Sequence, residues 1–233
     1  MSAQAQPWGA LLARFGLSAQ QTERLAAVLA ELERDEHAPT AVRDVEAAAK
    51  LHVADALVAL EIDGLRTSRT VADLGAGAGF PGLAIAVALP DTEIRLVESQ
   101  RRKCQFMRSL AAAAAIANAT VVCARSEDWA QGLGANDAVL ARALAPQPVV
   151  LEYAAPLLRL GGTLIDWRGR RNPGEERAAA RAAEKLGLRL AEVRWVEPFV
   201  GATDRHLHVF VKQRETPDRF PRRAGIARKR PLG

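Results

Sequence analysis

The chain has 233 residues, nearly half of them apolar and a quarter charged, with a formal charge of +5. That length suits one sizeable α/β domain with a small appendage, and the balance is that of a folded globular chain. No run approaches the roughly 18 apolar residues of a membrane-spanning helix. Met1 to Trp8 carry no basic-then-apolar export signal. The two cysteines, Cys104 and Cys123, lack metal-ligand spacing. Membrane insertion, secretion and a zinc site are therefore set aside, and both cysteines read as reduced core residues of a cytoplasmic protein.

The first 60 or so residues read as helical. Ser18 followed by Gln21 makes a capping box, and Leu25, Val28, Leu29 and Leu32 recur at helical spacing. Pro39 breaks this helix. Asp44 can cap a second one, with Leu51, Ala54 and Val58 on one face. A small helical cap over residues 1–65 is expected.

From Thr70 the pattern alternates. Strands are predicted at 71–74, 93–98, 120–124, 138–141 and 163–167. Helices are predicted at 81–89, 100–117, 148–160 and 175–186, the third closed by Gly161-Gly162 and the last by Gly187. Such alternation argues a parallel, doubly wound sheet with ligands at the strand C-termini. The ending differs: 190–196 and 206–211 are extended runs with no helix between them, which predicts an antiparallel hairpin at the sheet edge. The main domain is placed at 66–213 and a tail at 214–233.

From Lys212 to the end, eight basic residues face two acidic ones, so this stretch is +6 and the rest of the chain about −1. A localised cationic segment attracts polyanions, nucleic acid first. Charge runs are ordinarily solvated tails; here Phe220, Pro221, Pro231 and Leu232 interrupt the charge and mark a segment that docks.

The central motif is DLGAGAGFPG at 73–82. A buried strand runs into a glycine-rich turn, and Pro81 suits the first helical position. Its second half also matches the GxGxxG dinucleotide fingerprint. Three features favour S-adenosylmethionine. Gly75 and Ala76 intervene between the strand and Gly77, whereas a dehydrogenase places its first glycine close to the strand. The Asp73 carboxylate can hold an ammonium, directly or through water, and would repel a pyrophosphate. The terminal hairpin resembles the seventh-strand insertion of class I methyltransferases. Glu98, at the end of the second strand, can accept from ribose hydroxyls under either reading. A nicotinamide-dependent oxidoreductase and a non-catalytic RNA-binding or ribosome-assembly factor stand as the alternatives.

With these motifs in hand, the chain resembles bacterial ribosomal RNA small subunit methyltransferase G, also called glucose-inhibited division protein B. The resemblance spans nearly the whole chain: DLGAGAGFPG (73–82), LVESQRRKCQFM (96–107), ARSEDW (124–129), VLARAL (139–144), RHLHVFVK (205–212) and FPRRAGIARKRPL (220–232). It implies a class I, Rossmann-like α/β fold with a seven-stranded sheet, S-adenosylmethionine as cofactor, and methylation of N7 of one guanine in 16S rRNA. It carries Gly75 and Phe80 to cofactor-contacting positions, Ser126 and Glu127 to the adenine, and Arg142 to a place beside the cofactor and the RNA entrance. The family usually has Asn-Leu-Thr where Ala38-Pro39-Thr40 stand, and often lysine where Arg168 stands.

The expected roles follow. Asp73 with the Gly75, Gly77 and Gly79 backbone holds the methionine end, Glu98 the ribose, and Ser126 with Glu127 the adenine edge. Arg142 orients the methionine carboxylate or an RNA phosphate. Arg168, Arg205, Arg222, Arg223, Lys229 and Arg230 bind RNA. Phe80 either stacks on the target base or packs under the loop, and Trp129 is a core aromatic or flanks the adenine; Trp167 and Trp195 read as core or rim. His206 and His208 fit a strand with one polar face. No general base or metal is needed. The partner is 16S rRNA or a small-subunit precursor, and the protein is expected to be a cytoplasmic monomer that uses no membrane.

Overall fold

The computed structural model describes residues 8–233; the expectation made for the first seven residues lies outside them. Helix α1 is Gly9–Ala13, and α2 is Ala19–Arg34. The α2 capping box forms as read: Ser18 Oγ accepts from the Gln21 amide at 3.2 Å, and Gln21 Oε1 accepts from the Ser18 amide at 2.8 Å. Leu25, Val28, Leu29 and Leu32 make its buried stripe.

Asp44 caps α3 (Val45–Ala48), accepting from the Ala47 amide at 2.8 Å. The chain then widens into a π-helical run, Ala49–Ala54, before α4 (Asp55–Leu57) and a 3₁₀ turn, Val58–Glu61. The extra residue per turn in a π segment rotates the side chains out of the 3.6 period. Leu51, expected on the apolar face, is consequently exposed, while Val53, Ala54, Leu57 and Val58 are buried. Helix α5, Asp63–Arg66, leads into the sheet.

The sheet has seven strands in the order β3-β2-β1-β4-β5-β7-β6. They are β1 Thr70–Leu74, β2 Glu93–Val97, β3 Ala119–Val122, β4 Asn136–Arg142, β5 Leu158–Arg168, β6 Leu188–Trp195 and β7 His206–Lys212. β1 to β5 run parallel, and β7 lies antiparallel between β5 and β6. The crossover helices are α6 Gly82–Ala88, α7 Arg101–Ala113, α8 Gln147–Ala154 and α9 Pro173–Leu186. A last short helix, α10 Ile226–Lys229, lies in the tail.

Successive strand side chains point to opposite faces, and two apolar clusters result. Val71, Leu140 and Ile165 join Leu25, Leu29 and Val53 of the N-terminal helices and Leu83 of α6. Ala72, Val139 and Leu164 join Val149 of α8, Ala182 of α9, and Phe220 and Ala227 of the tail. The N-terminal helices and the C-terminal tail thus cover opposite faces of the sheet.

Four local expectations fail. The predicted 148–160 helix gives way at Ala155–Leu157 to a 3₁₀ turn, and β5 already begins at Leu158. Gly161-Gly162 therefore lies inside β5, where pairing with β4 skips from Asn136↔Leu158 to Ala138↔Thr163; it forms a β-bulge and no helix stop. Cys104 is buried as read, but Cys123, just beyond β3, is exposed. His208 is buried, where β7 was expected to show one polar face, while Trp195, 58% exposed on the edge strand, takes the rim position of its two readings.

Candidate functional site

In a doubly wound sheet the ligand crevice opens beyond the strand C-termini, where strand order reverses. Here that point lies between β1 and β4. The turns after β1, β2, β3 and β4 converge there on a cavity of ≈ 470 Å³, within the range of small-ligand sites. Gly75 comes from the first turn, Glu98 to Gln100 from the second, Ala124 to Glu127 from the third, and Ala143 with Leu144 from the fourth. Lys103 of α7, Tyr153 of α8 and Arg228 of α10 complete the wall.

The glycine turn is held from below. The Gly75 and Ala76 amides donate to Val97 O at 2.8 and 3.2 Å, so the turn folds back onto the end of β2. Gly75 has φ +67°, and a Cβ there would stand 2.5 Å from Leu144 Cδ1. Both the backbone conformation and the space demand glycine. Asp73 is buried beneath the turn, and its Oδ2 accepts from the Gly82 amide at 2.8 Å. Burial pushes its carboxyl up to about 7, against the Gly82 bond and the nearby Arg142 guanidinium. Asp73 is absent from the cavity wall; its bond in the structure braces the turn.

Glu98 is buried at the cavity floor. One oxygen accepts from the Gly77 amide at 3.3 Å, the other from the Gln100 amide at 2.9 Å. A carboxylate held by two backbone donors keeps a fixed orientation and still has lone pairs for a diol. Ser126 Oγ donates to Glu127 Oε2 at 3.1 Å, while Glu127 Oε1 accepts from the Gly225 amide of the tail at 3.0 Å.

The remaining expected residues divide. Gly77 and Gly79 shape the turn without lining the cavity. Phe80 is buried and stacks on His52, ring centroids 5.0 Å apart and planes 14° from parallel, so it packs against the N-terminal helices. Burial, with Arg142 nearby, holds His52 down at about 4, which keeps this stacked ring neutral. Arg142 does not reach the cavity wall. Its Nη1 donates to Asp55 Oδ2 at 2.9 Å and to Leu51 O at 3.2 Å, which ties the end of β4 to the N-terminal helices. Trp129 packs in the core beside Gly132, and Trp167 is buried with Nε1 donating to Asp55 O at 2.8 Å.

Two of the expected RNA arginines are spent on the protein itself. Arg168 donates to Asp166 at 2.7 Å, to Glu175 at 3.3 Å and to Ala145 O at 3.0 Å, which uses all three nitrogens. Arg222 grips the buried Glu152 carboxylate with Nε and Nη2 and also donates to Arg230 O at 2.8 Å. Charge placement in sequence does not reveal the Arg222 pairing, since Glu152 lies 70 residues away, whereas the partners of Arg168 lie only two and seven residues off. Arg205 is partly engaged, 3.5 Å from Asp55. Arg223, Lys229 and Arg230 are exposed, and among the described residues their side chains make no ion pair. The sequence reading missed Lys103, Arg125, Tyr153 and Arg228. The first two and Arg228 lay in quoted motifs, and the single tyrosine gave no signal.

A parallel sheet ending in an antiparallel β7, with its crevice formed by a glycine turn and an acid at the end of β2, defines a class I S-adenosylmethionine-dependent methyltransferase. Solved structures agree on the fold. An S-adenosylmethionine-dependent methyltransferase from Aquifex aeolicus is similar with a TM-score of 0.56 at 17% identity, over 70% of this chain and 91% of that one. Aeropyrum pernix fibrillarin with natively bound S-adenosyl-L-methionine gives 0.55 at 18%, over 68% and 73%. Residues 18–207 match the family model for rRNA small subunit methyltransferase G, and the chain belongs to that family. Curated relatives named ribosomal RNA small subunit methyltransferase G include those of Rubrobacter xylanophilus, 38% identical over 97% of this chain and 87% of that one, and Syntrophomonas wolfei, 38% identical over 78% and 85%. The protein is an S-adenosylmethionine-dependent methyltransferase of 16S rRNA. The oxidoreductase and non-catalytic readings fall away.

Proposed function

We propose that the cavity beyond β1 to β4 takes the cofactor with Glu98 on the ribose, the Gly75 turn beside the methionine end and Ser126-Glu127 at the adenine, and that the base methylated is a guanine at N7. The observation that carries the placement is Glu98, a buried carboxylate fixed by two backbone amides at the floor of this cavity. The volume and the mix of acceptor and backbone donors fit a nucleoside with a zwitterionic arm. Asp73 acts through the turn it braces.

S-adenosylmethionine supplies an activated methyl group on a sulfonium. Guanine N7 offers an unprotonated lone pair and loses no proton on alkylation, so no residue needs to act as a base. The chain's work is placement: holding nucleophile and methyl carbon in line at about 3 Å. The neutral state of His52 and the bracing roles of Arg142 and Asp73 agree with a site built for position. Half-buried Lys103 of α7 and exposed Arg125 after β3 line the cavity, and with the exposed Arg101 and Arg102 beside Lys103 they meet the RNA backbone together with Arg223, Lys229 and Arg230. Three cations in the first turn of α7 oppose its dipole, and a polyanion offsets that cost. The reading makes the protein a cytoplasmic monomer acting on 16S rRNA or a small-subunit precursor; no helix among the described residues is long and apolar enough to cross a membrane.

Glu98→Ala tests the placement. S-adenosylhomocysteine affinity should fall at least about tenfold, with the apo melting temperature little changed; unaltered affinity removes Glu98 from the site. Mapping 7-methylguanosine in rRNA from cells with and without the gene tests the methylated atom, and an unchanged map refutes it.

A further inference from the structure

The C-terminal tail reads in the sequence as a docking segment that binds RNA. The structure seats it against the cavity wall. Phe220 and Ala227 are buried in the apolar cluster that also holds Val149 of α8. Arg222 pairs through two nitrogens with Glu152, a carboxylate only 1% exposed. The Gly225 amide donates to Glu127 Oε1 at 3.0 Å, and Arg228 Nη2 donates to Leu144 O at 2.9 Å. Glu127 and Leu144 are both wall residues of the cavity, and so is Arg228 itself.

From these contacts we infer that the docked tail is a wall of the cofactor site, with Arg228 a cofactor-contacting residue, so that cofactor binding and tail docking stabilise each other. This rests on the reading that the cavity takes S-adenosylmethionine. Arg228 stands with Tyr153 and Leu144 on the side built by α8, α10 and the turn after β4. Its Nη2 is fixed on a backbone carbonyl, which holds the planar guanidinium in place, and such a plane suits stacking or donation to a nucleoside. Glu127 is shared: one oxygen holds the tail while the other takes Ser126 Oγ. Anything that orders this loop for the cofactor also orders the seat of Gly225, and by linkage the effect is reciprocal. The same segment turns Arg223, Lys229 and Arg230 outward.

The test uses the full chain, because deletion would uncover the α8 side of the apolar cluster that Phe220 and Ala227 cover and leave Glu152 unpaired, confounding folding with binding. S-adenosylhomocysteine is titrated calorimetrically into wild type, Arg228→Ala, Arg228→Lys and Lys229→Ala. Arg228→Ala should bind about tenfold more weakly, Arg228→Lys should fall between it and wild type, and Lys229→Ala, altered at an exposed neighbour outside the cavity wall, should match wild type. Hydrogen exchange of the wild-type peptide spanning residues 220–232 should slow at least about fivefold when S-adenosylhomocysteine is added. If Arg228→Ala melts well below wild type, Arg228→Lys and the exchange measurement carry the decision. Wild-type affinity in both Arg228 variants overturns the contact, and unchanged tail exchange overturns the coupling. Failure of wild type itself to bind overturns instead the assignment of the cavity.

Discussion

Replacing Gly75 by alanine separates two physical reasons for one glycine. The residue sits at φ +67°, which costs an L-residue about 1–2 kcal/mol. The new Cβ would also stand 2.5 Å from Leu144 Cδ1, where carbon pairs rest about 3.5–4.0 Å apart. Leu144 must therefore retreat by about 1 Å, and an off-rotamer side chain costs roughly 0.5–1.5 kcal/mol. Gly77 supplies the control. Its φ is +60°, but the nearest atom to an added Cβ is Gly75 O at 3.6 Å, so Gly77→Ala meets only the backbone term. Gly75→Ala should lose about 2–3 kcal/mol in all, a melting shift of roughly 4–12 °C for a chain of this length. Gly77→Ala should lose about 1 kcal/mol less. Leu144 is a cavity wall residue, so its retreat should also weaken S-adenosylhomocysteine more in Gly75→Ala than in Gly77→Ala. Melting curves and titrations of both variants decide it. Equal losses in the two variants would refute the Leu144 contact, and no loss in either would refute the backbone argument.

Three further outcomes are expected. Arg222→Met leaves the buried Glu152 unpaired, which costs about 3 kcal/mol at the low end for a broken buried pair because Arg222 is itself partly exposed; adding Glu152→Gln should recover at least half in melting experiments, and a double variant as unstable as the single refutes the pairing. Burial, with Arg168 and Arg171 adding to it and Glu176 opposing, holds His208 down at about 4 from 6.5. The fold therefore favours the neutral ring, and this contribution is complete above pH 6.5 and lost as pH falls toward 4. Asp73 and Asp166, pushed up to about 7 and about 6, act in the opposite sense, losing stability as pH rises through those values. The stability difference between wild type and His208→Gln should accordingly shrink on acidification; a pH-independent difference refutes it. Finally, Arg101→Ala with Arg102→Ala should reduce the salt dependence of RNA binding by about one to two phosphate contacts while sparing cofactor affinity; an unchanged slope removes α7 from the RNA path.

The sequence by itself determined the parts governed by short-range chemistry. The Ser18-Gln21 box, the stripe from Leu25 to Leu32, the strand–turn–helix at 70–88 and the helix ending at Gly187 all follow from periodicity and capping, which act over a few residues. The lack of a helix between 190–196 and 206–211 was enough to foresee the antiparallel end of the sheet. Only the tertiary structure decided which charges are free. Arg142, Arg168 and Arg222 read as ligand-facing cations, yet Asp166 and Glu175 claim Arg168 from close by, and Asp55 and Glu152 claim Arg142 and Arg222 from 87 and 70 residues away. It also decided that Asp73 lies under the turn, that a π segment turns Leu51 outward, and that Arg228, seventy-five residues beyond Tyr153, shares a cavity wall with it. The physical reason is that a buried charge must find a partner wherever the fold brings one, and sequence proximity says nothing about where that is.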